Sequence, residues 1–259
     1  MFNYKYIASK VNCFLALFIV LNFFLLSFAH SAMAEQNKGK AKTANSDFGL
    51  PTHRRDGGSR DNRDSCLVDA DDQSLMALIP ENTIGVNSNT NPRLFFYVPK
   101  INNQKTLEFV LRNEQDELIY EAFFATEGDG IMNVEVPANI NSNLLATGEN
   151  YHWYLSMICD RQQRSRDLVV EGWLRQESID LATQEQIDVA SSVEQAEVYN
   201  SQGFWYDALS VLAENQDSLA DRPMVRQKWS EMLDSVGLKE LAAEPFVETE
   251  LIESSPNSW

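Results

Sequence analysis

Histidine and cysteine are both scarce, with three of each in 259 residues. His30 and Cys13 lie within the first 34 residues, which leaves His53, His152, Cys66 and Cys159 for the rest of the chain. Two histidines cannot build a multi-histidine zinc site, and no His-Glu-x-x-His helix is present. There is no Gly-x-Ser-x-Gly nucleophile elbow, no glycine-rich phosphate loop, and no Ser-x-x-Lys pair beyond the first 34 residues. Positive charge is also short: 21 Lys and Arg stand against 38 Asp and Glu. Nucleic acids and anionic membrane surfaces are held by Lys and Arg, so neither is an expected partner. The acidic cluster Asp69-Ala70-Asp71-Asp72 lacks the glycine and distal glutamate of a calcium loop and reads as a solvated loop. The expectation is a protein that is not an enzyme, with no catalytic residue, metal ligand or cofactor.

Long apolar runs are confined to one place. Lys5 and Lys10 precede the run Cys13–Ala29, which is followed by Ala32-Met33-Ala34. A basic start, an apolar stretch and a small-x-small exit make a secretory signal peptide over residues 1–34. A retained anchor is the alternative, because the run nears the length of a spanning helix; the small-residue exit and the lack of a basic cluster after it favour cleavage. Cys13 opens the run instead of ending it, which does not fit a lipoprotein signal. The expected location is therefore the periplasm or the exterior, with no stable membrane insertion after cleavage. Cleavage leaves Cys66 and Cys159, which in an oxidising compartment form a disulfide more readily than they persist as two buried thiols.

Residues 35–65 are polar, with four glycines and almost no apolar side chains. Such a stretch cannot bury enough surface to offset its ordering entropy and reads as a flexible linker. Within it, Gly49–Arg60 (GLPTHRRDGGSR) is dense enough in signals to dock as an extended strand.

Residues 66–177 carry short alternating runs between turns. Arg93–Val98 stops at Pro99. Leu107, Phe109 and Leu111 share one face of a strand, as do Tyr120, Ala122 and Phe124 of the next. A polar turn at Glu114–Glu117 separates them, and Gly128-Asp129-Gly130 leads into Ile131–Val136. Tyr151–Cys159, Leu168–Gln176 and a weaker Leu75–Ile79 bring the count to about seven strands. The fold class expected is α+β: an antiparallel β-sandwich that resembles immunoglobulin-like and fibronectin-like domains, followed by helices. The last two strands suggest a register with Cys159 opposite Leu168. Trp153, Leu155 and Met157 then face the core with Leu174, Gly172 and Val170. The other face pairs Tyr154 with Trp173, Ser156 with Glu171 and His152 with Arg175.

From residue 178 the apolar period becomes helical. Helices are expected over Thr183–Gln202, Tyr206–Asn215 and Pro223–Val236, with Gly203 and Gly237 as stops. Ala196, Tyr199, Gly203, Ala208 and Leu212 fall at tetratricopeptide-like spacing, but only one unit is present. One unit cannot bury its own face, so residues 178–245 should pack on the sandwich. Residues 246–259 are acidic and expected to be disordered.

Tyr154, Trp173 and His152 form the candidate binding face. Flat aromatics on a sheet can stack on sugar rings, but the reading favoured is that the helices, which need a partner surface, cover this face, with Trp205 or Trp229 packing there. His152 reads as an ordinary surface residue, since no carboxylate is expected beside it.

The stretches GLPTHRRDGG (49–58), Cys66, ALIPEN (77–82), FFYVP (95–99), FVLRNE (109–114), YHWYLSMICD (151–160), VEGW (170–173) and WYDALSVL (205–212) together resemble an uncharacterised, mainly cyanobacterial secreted family, domain of unknown function 928. The resemblance implies export and this architecture, and no activity. The resulting expectation is an exported, non-catalytic interaction or structural module of the cell envelope. Its partner is expected to be another envelope or extracellular protein, with a glycan-binding module as the alternative.

Overall fold

The computed structural model describes residues 53–55, 67, 74–138, 145–216 and 222–256. The expected leader, most of the expected linker, Cys66 and residues 257–259 lie outside the described residues. Among the described residues there are nine strands: β1 (Met76–Ala77), β2 (Ile84–Asn87), β3 (Arg93–Val98), β4 (Lys105–Asn113), β5 (Leu118–Thr126), β6 (Gly130–Glu135), β7 (Asn150–Ile158), β8 (Leu168–Gln176) and β9 (Glu250–Pro256). The α-helices among the described residues are α1 (Leu181–Asp188), α2 (Ser192–Gln202), α3 (Trp205–Glu214) and α4 (Arg222–Ser235). None of the described helices is long and apolar enough to cross a membrane.

The strands form two open sheets, ordered β1-β3-β6 and β2-β8-β7-β4-β5-β9. Alternation dictates the large sheet. Leu107, Phe109 and Leu111 of β4, Tyr120, Ala122 and Phe124 of β5, and Trp153, Leu155 and Met157 of β7 are all buried on one face. The polar turn between β4 and β5 is held by Asn113, whose Oδ1 accepts the N–H groups of Gln115 (3.0 Å) and Glu117 (2.9 Å).

β3 follows a different rule. It is buried on both faces, so its apolar run is continuous. Phe96 points at the large sheet, edge-on to Trp153 (ring centroids 5.4 Å apart) and to Phe109 (6.4 Å). Phe95 points the opposite way, edge-on to Trp229 of α4 (5.9 Å). The layers therefore run large sheet, small sheet, helices, with one continuous core that includes Trp205, Tyr206, Leu209, Val225 and Trp229.

This order corrects several expectations. The helices lie against β2 and β3, and Trp205 and Trp229 belong to that inner seam instead of covering Tyr154 and Trp173. The reason is that β3 has no polar face and needs cover on both sides, whereas the outer face of the large sheet carries Glu108, Arg112, Glu121 and Glu171. β2 pairs in parallel with β8, Ile84 opposite Trp173. With that parallel pair and a three-plus-six division, the sheets do not reproduce the antiparallel, seven-stranded immunoglobulin-like arrangement. The single helix expected over Thr183–Gln202 is two, because Ser191 and Glu194 form a capping box that starts α2. Residues 250–256, expected as disordered tail, form β9 on the edge of β5; Glu250 and Glu253 mask a strand whose Leu251 and Ile252 sit on a sheet edge.

The β7–β8 register also differs, with Met157 opposite Leu168, Trp153 opposite Gly172 and His152 opposite Trp173. The shift is two residues, so each side chain keeps its face but changes its neighbour. The cause is local: Cys159 N–H turns away from the ladder to donate to Asp167 Oδ1 (3.1 Å).

The start of α3 ties the helices to the sheets through three consecutive side chains. Trp205 Nε1–H donates to the Leu78 carbonyl (2.8 Å). Tyr206 is fully buried; its hydroxyl accepts from Trp153 Nε1–H (3.2 Å), and its ring fills the space a Cβ on Gly85 would occupy. Asp207 accepts from Ser88 N–H (2.8 Å) and Ser88 Oγ–H (2.9 Å). Burial pushes the Asp207 carboxyl up to about 6, despite the bonds from Ser88. A carboxyl raised above its unfolded value stabilises the fold when protonated, and that contribution is lost as pH rises through about 6. Asp207→Asn is expected to flatten this part of the stability profile, read by urea unfolding from about pH 5 to pH 8, at a cost of about 1 kcal/mol for the weakened bonding to Ser88.

A histidine–glutamate–aromatic row on the outer sheet face

Strand alternation that buries Trp153 and Leu155 turns His152, Tyr154 and Ser156 outward on β7. Glu171, Trp173 and Arg175 turn outward on β8. The corrected register sets His152 directly opposite Trp173 and Tyr154 opposite Glu171. The imidazole of His152 lies flat on the Trp173 indole, centroids 4.4 Å apart and planes 8° from parallel. Tyr154 packs against the same imidazole at 4.2 Å. The three residues proposed from sequence are thus brought together, with the histidine in contact with both aromatics.

Two residues of the row were not anticipated. The Glu171 carboxylate lies beside His152, with Oε2 3.0 Å from Nε2 but off the line of a straight hydrogen bond. Its other oxygen, Oε1, is 2.5 Å from His53 Nδ1. His53 belongs to the block read as a strand able to dock, and it does so: His53 and Glu171 exchange backbone N–H···O bonds of 3.2 and 3.1 Å. The sequence signal for Glu171 was present, because it sits two residues from Trp173 on the same face. The two-residue register error assigned it to Ser156.

The docked segment is anchored on its other side by Arg54. This buried guanidinium donates to the carbonyls of Ile79 (3.2 Å) and Val236 (2.6 Å) and to Glu81 Oε1 (2.7 Å). Arg54 thereby joins the small-sheet edge to the end of α4, and Arg55 adds a contact to Glu240 at 3.0 Å.

Tyr154 Oη is 2.8 Å from His152 Nδ1. With its proton on Nε2, His152 accepts the Tyr154 hydroxyl at Nδ1 and keeps Nε2 beside the Glu171 carboxylate, in charge contact without a straight hydrogen bond. Tyr154, His152 and Glu171, all partly buried, and the exposed His53 form a line of polar contacts. Burial lowers the His152 pKa from its ordinary value, and the Glu171 carboxylate opposes that effect. Burial, then the charges of Glu171 and Asp116, raise the Tyr154 hydroxyl. At neutral pH the row therefore presents a neutral imidazole between two aromatic rings beside one carboxylate. Among the described residues, no group of three or more histidine, cysteine, aspartate and glutamate side chains is arranged to hold a metal ion. A cavity of about 390 Å³ adjoins the row at Arg175 and runs between Ile84, Val86, Asp180 and Phe204. Cys159 is half-buried and packs against the core, while Cys66, its expected partner, lies outside the described residues.

A histidine whose folded pKa is depressed stabilises the fold above its unfolded value and loses that contribution as pH falls. The groups facing it are Glu171, Tyr154, Trp173 and Arg112. The His152 contribution should therefore fall on acidification from about pH 7 to pH 5, opposite in sign to that of Asp207, and His152→Gln should remove it. Unfolding midpoints of the two proteins across that range check this; parallel curves would refute it.

No curated protein matches the chain. Residues 55–246 match the sequence model of the family described as Domain of Unknown Function (DUF928), and the chain belongs to that family.

Proposed function

We propose that the protein is an exported, non-catalytic interaction module of the cell envelope, and that it engages another protein through the outer face of its large sheet. The observation that carries this reading is the layer order. The helices are committed to β3 and β2, and the large sheet turns His152, Tyr154, Trp173 and Glu171 away from them. Aromatic side chains grouped with a few polar ones are the composition of protein-contact surfaces. A basic or hydrogen-bonding partner would find Glu171 and a neutral imidazole between two rings. Glycan binding is the second reading, supported by the proximity of Tyr154 and Trp173. It is less favoured because Trp173 and Tyr154 each spend a ring face on His152.

A photoreactive amino acid at Ser156, in the same row, should give a discrete crosslinked product in the native envelope. Tyr154→Ala with Trp173→Ala should abolish it while far-ultraviolet circular dichroism and cooperative unfolding are kept. Retention on a polysaccharide column, lost in Trp173→Ala, would favour the glycan reading. Turnover of a hydrolysable substrate that Glu171→Gln abolishes would overturn the non-catalytic one.

The same reading includes a Cys66–Cys159 disulfide. Leu67 bridges Ile101 just ahead of β4, and Cys159 follows β7, which pairs with β4; these pairings support the bond. Non-reducing peptide mapping should yield the linked pair. Cys66→Ser should cost about 2–5 kcal/mol under oxidising conditions and little under reducing ones.

A further inference from the structure

The two edges of the large sheet are treated differently. β2, at one end, lies under α3. β9, at the other, pairs only with β5 among the described residues, from Tyr120 opposite Pro256 to Ala125 opposite Glu250. Its outward edge thus carries a row of backbone N–H and C=O groups available to another strand. The pairing slips between Phe123 and Phe124, which leaves Ile252 without a partner residue on β5.

The side chains of this edge are not those of a merely protected strand. Leu251 and Ile252 are 52% and 56% exposed, although they are adjacent aliphatics on a sheet edge. Ile252 joins Thr106, Phe123, Ile158 and Glu253 in lining a cavity of about 330 Å³ on the outer face; Arg161 and Arg164 also stand at its wall, Arg164 paired with Glu108 and Asp167. Strand addition needs these two components, an open ladder edge and a pocket for an alternate side chain of the incoming strand.

Charge selects the occupant. Glu248, Glu250 and Glu253 are all exposed around this strand. A second copy pairing antiparallel through β9 would set glutamates against glutamates, which is unfavourable directly across a ladder. An incoming segment with lysine or arginine at those positions gains opposite-charge pairs. We infer that β9 is a strand-addition site for an extended, basic segment of a partner protein, which seats one apolar side chain in the cavity at Ile252.

A short alternating lysine–valine peptide is the probe, with a glutamate–valine peptide and a lysine–valine peptide N-methylated at alternate amides as controls. Calorimetry should show saturable binding of the first alone, and NMR should show the amide signals of Glu250, Leu251 and Glu253 shifting. Glu250→Lys with Glu253→Lys should weaken it about tenfold and admit the glutamate–valine peptide. Ile252→Asp should weaken it without moving the unfolding midpoint. Absence of binding, equal binding of the N-methylated peptide, or self-association of the unliganded protein through β9 would each overturn the inference. The peptides address the sheet edge and the crosslinker at Ser156 addresses the sheet face, so failure of either test is distinguishable from failure of the other.

Discussion

The fold depends on one strand that has no polar side. In β3, Phe95 and Phe96 are neighbours in sequence and point in opposite directions, each into an aromatic partner on a different layer. Burying either ring alone would leave the other in water, at a cost of about 1.5–3 kcal/mol. The strand therefore requires a sheet on one side and helices on the other. Everything else about the architecture follows from meeting both requirements at once. The large sheet supplies Trp153 and Phe109, α4 supplies Trp229, and the remaining face of the large sheet is left to be polar and aromatic.

The seam that holds the helices in place is polar where it is most buried. Trp205, Tyr206 and Asp207 reach three separate parts of the β-structure through hydrogen bonds, and Arg54 closes the other end of the helical layer. Such bonds contribute modestly in net terms but are costly to leave unmade in the interior. They fix which way α3 enters and allow little sliding. The glycines opposite this seam have a matching role. Gly85 lies under Tyr206 and Gly172 under Trp153, and a Cβ at either would overlap the ring.

Much of this was legible in the residues. The alternating runs of β4, β5, β7 and β8 announce their buried faces, and Gly203 and Gly237 end α2 and the α4 segment with left-handed φ of 90° and 73°. The docking of the Gly49–Arg60 block was also readable at His53 to Arg55. Three things were not. The run Arg93–Val98 shows that both faces are buried but not what covers each, so the helices were assigned to the wrong layer. The β7–β8 register hinges on Asp167 capturing Cys159 N–H, a side-chain choice that period-two patterning does not encode. That single shift sets Glu171 opposite Ser156 instead of Tyr154, so on the outer face the carboxylate reads as separate from His152. The acidic composition of residues 246–259 hid β9, because edge strands carry charge for reasons unrelated to disorder.

The parallel pairing of β2 with β8 has a kinetic consequence. Strands that run the same way cannot be joined by a tight turn, and here five intervening strands must be laid down before Ile84 meets Trp173. His53 and Glu171 are separated by 118 positions, so the N-terminal docking is equally non-local. Chains dominated by such distant contacts fold slowly, because loop-closure entropy is spent before the contacts that offset it can form. The β4–β5 hairpin can form early on its own. Completion of the domain waits for β8, and until then the apolar faces of β3 and β7 stay open, an interval in which the chain is most exposed to aggregation and to chaperones.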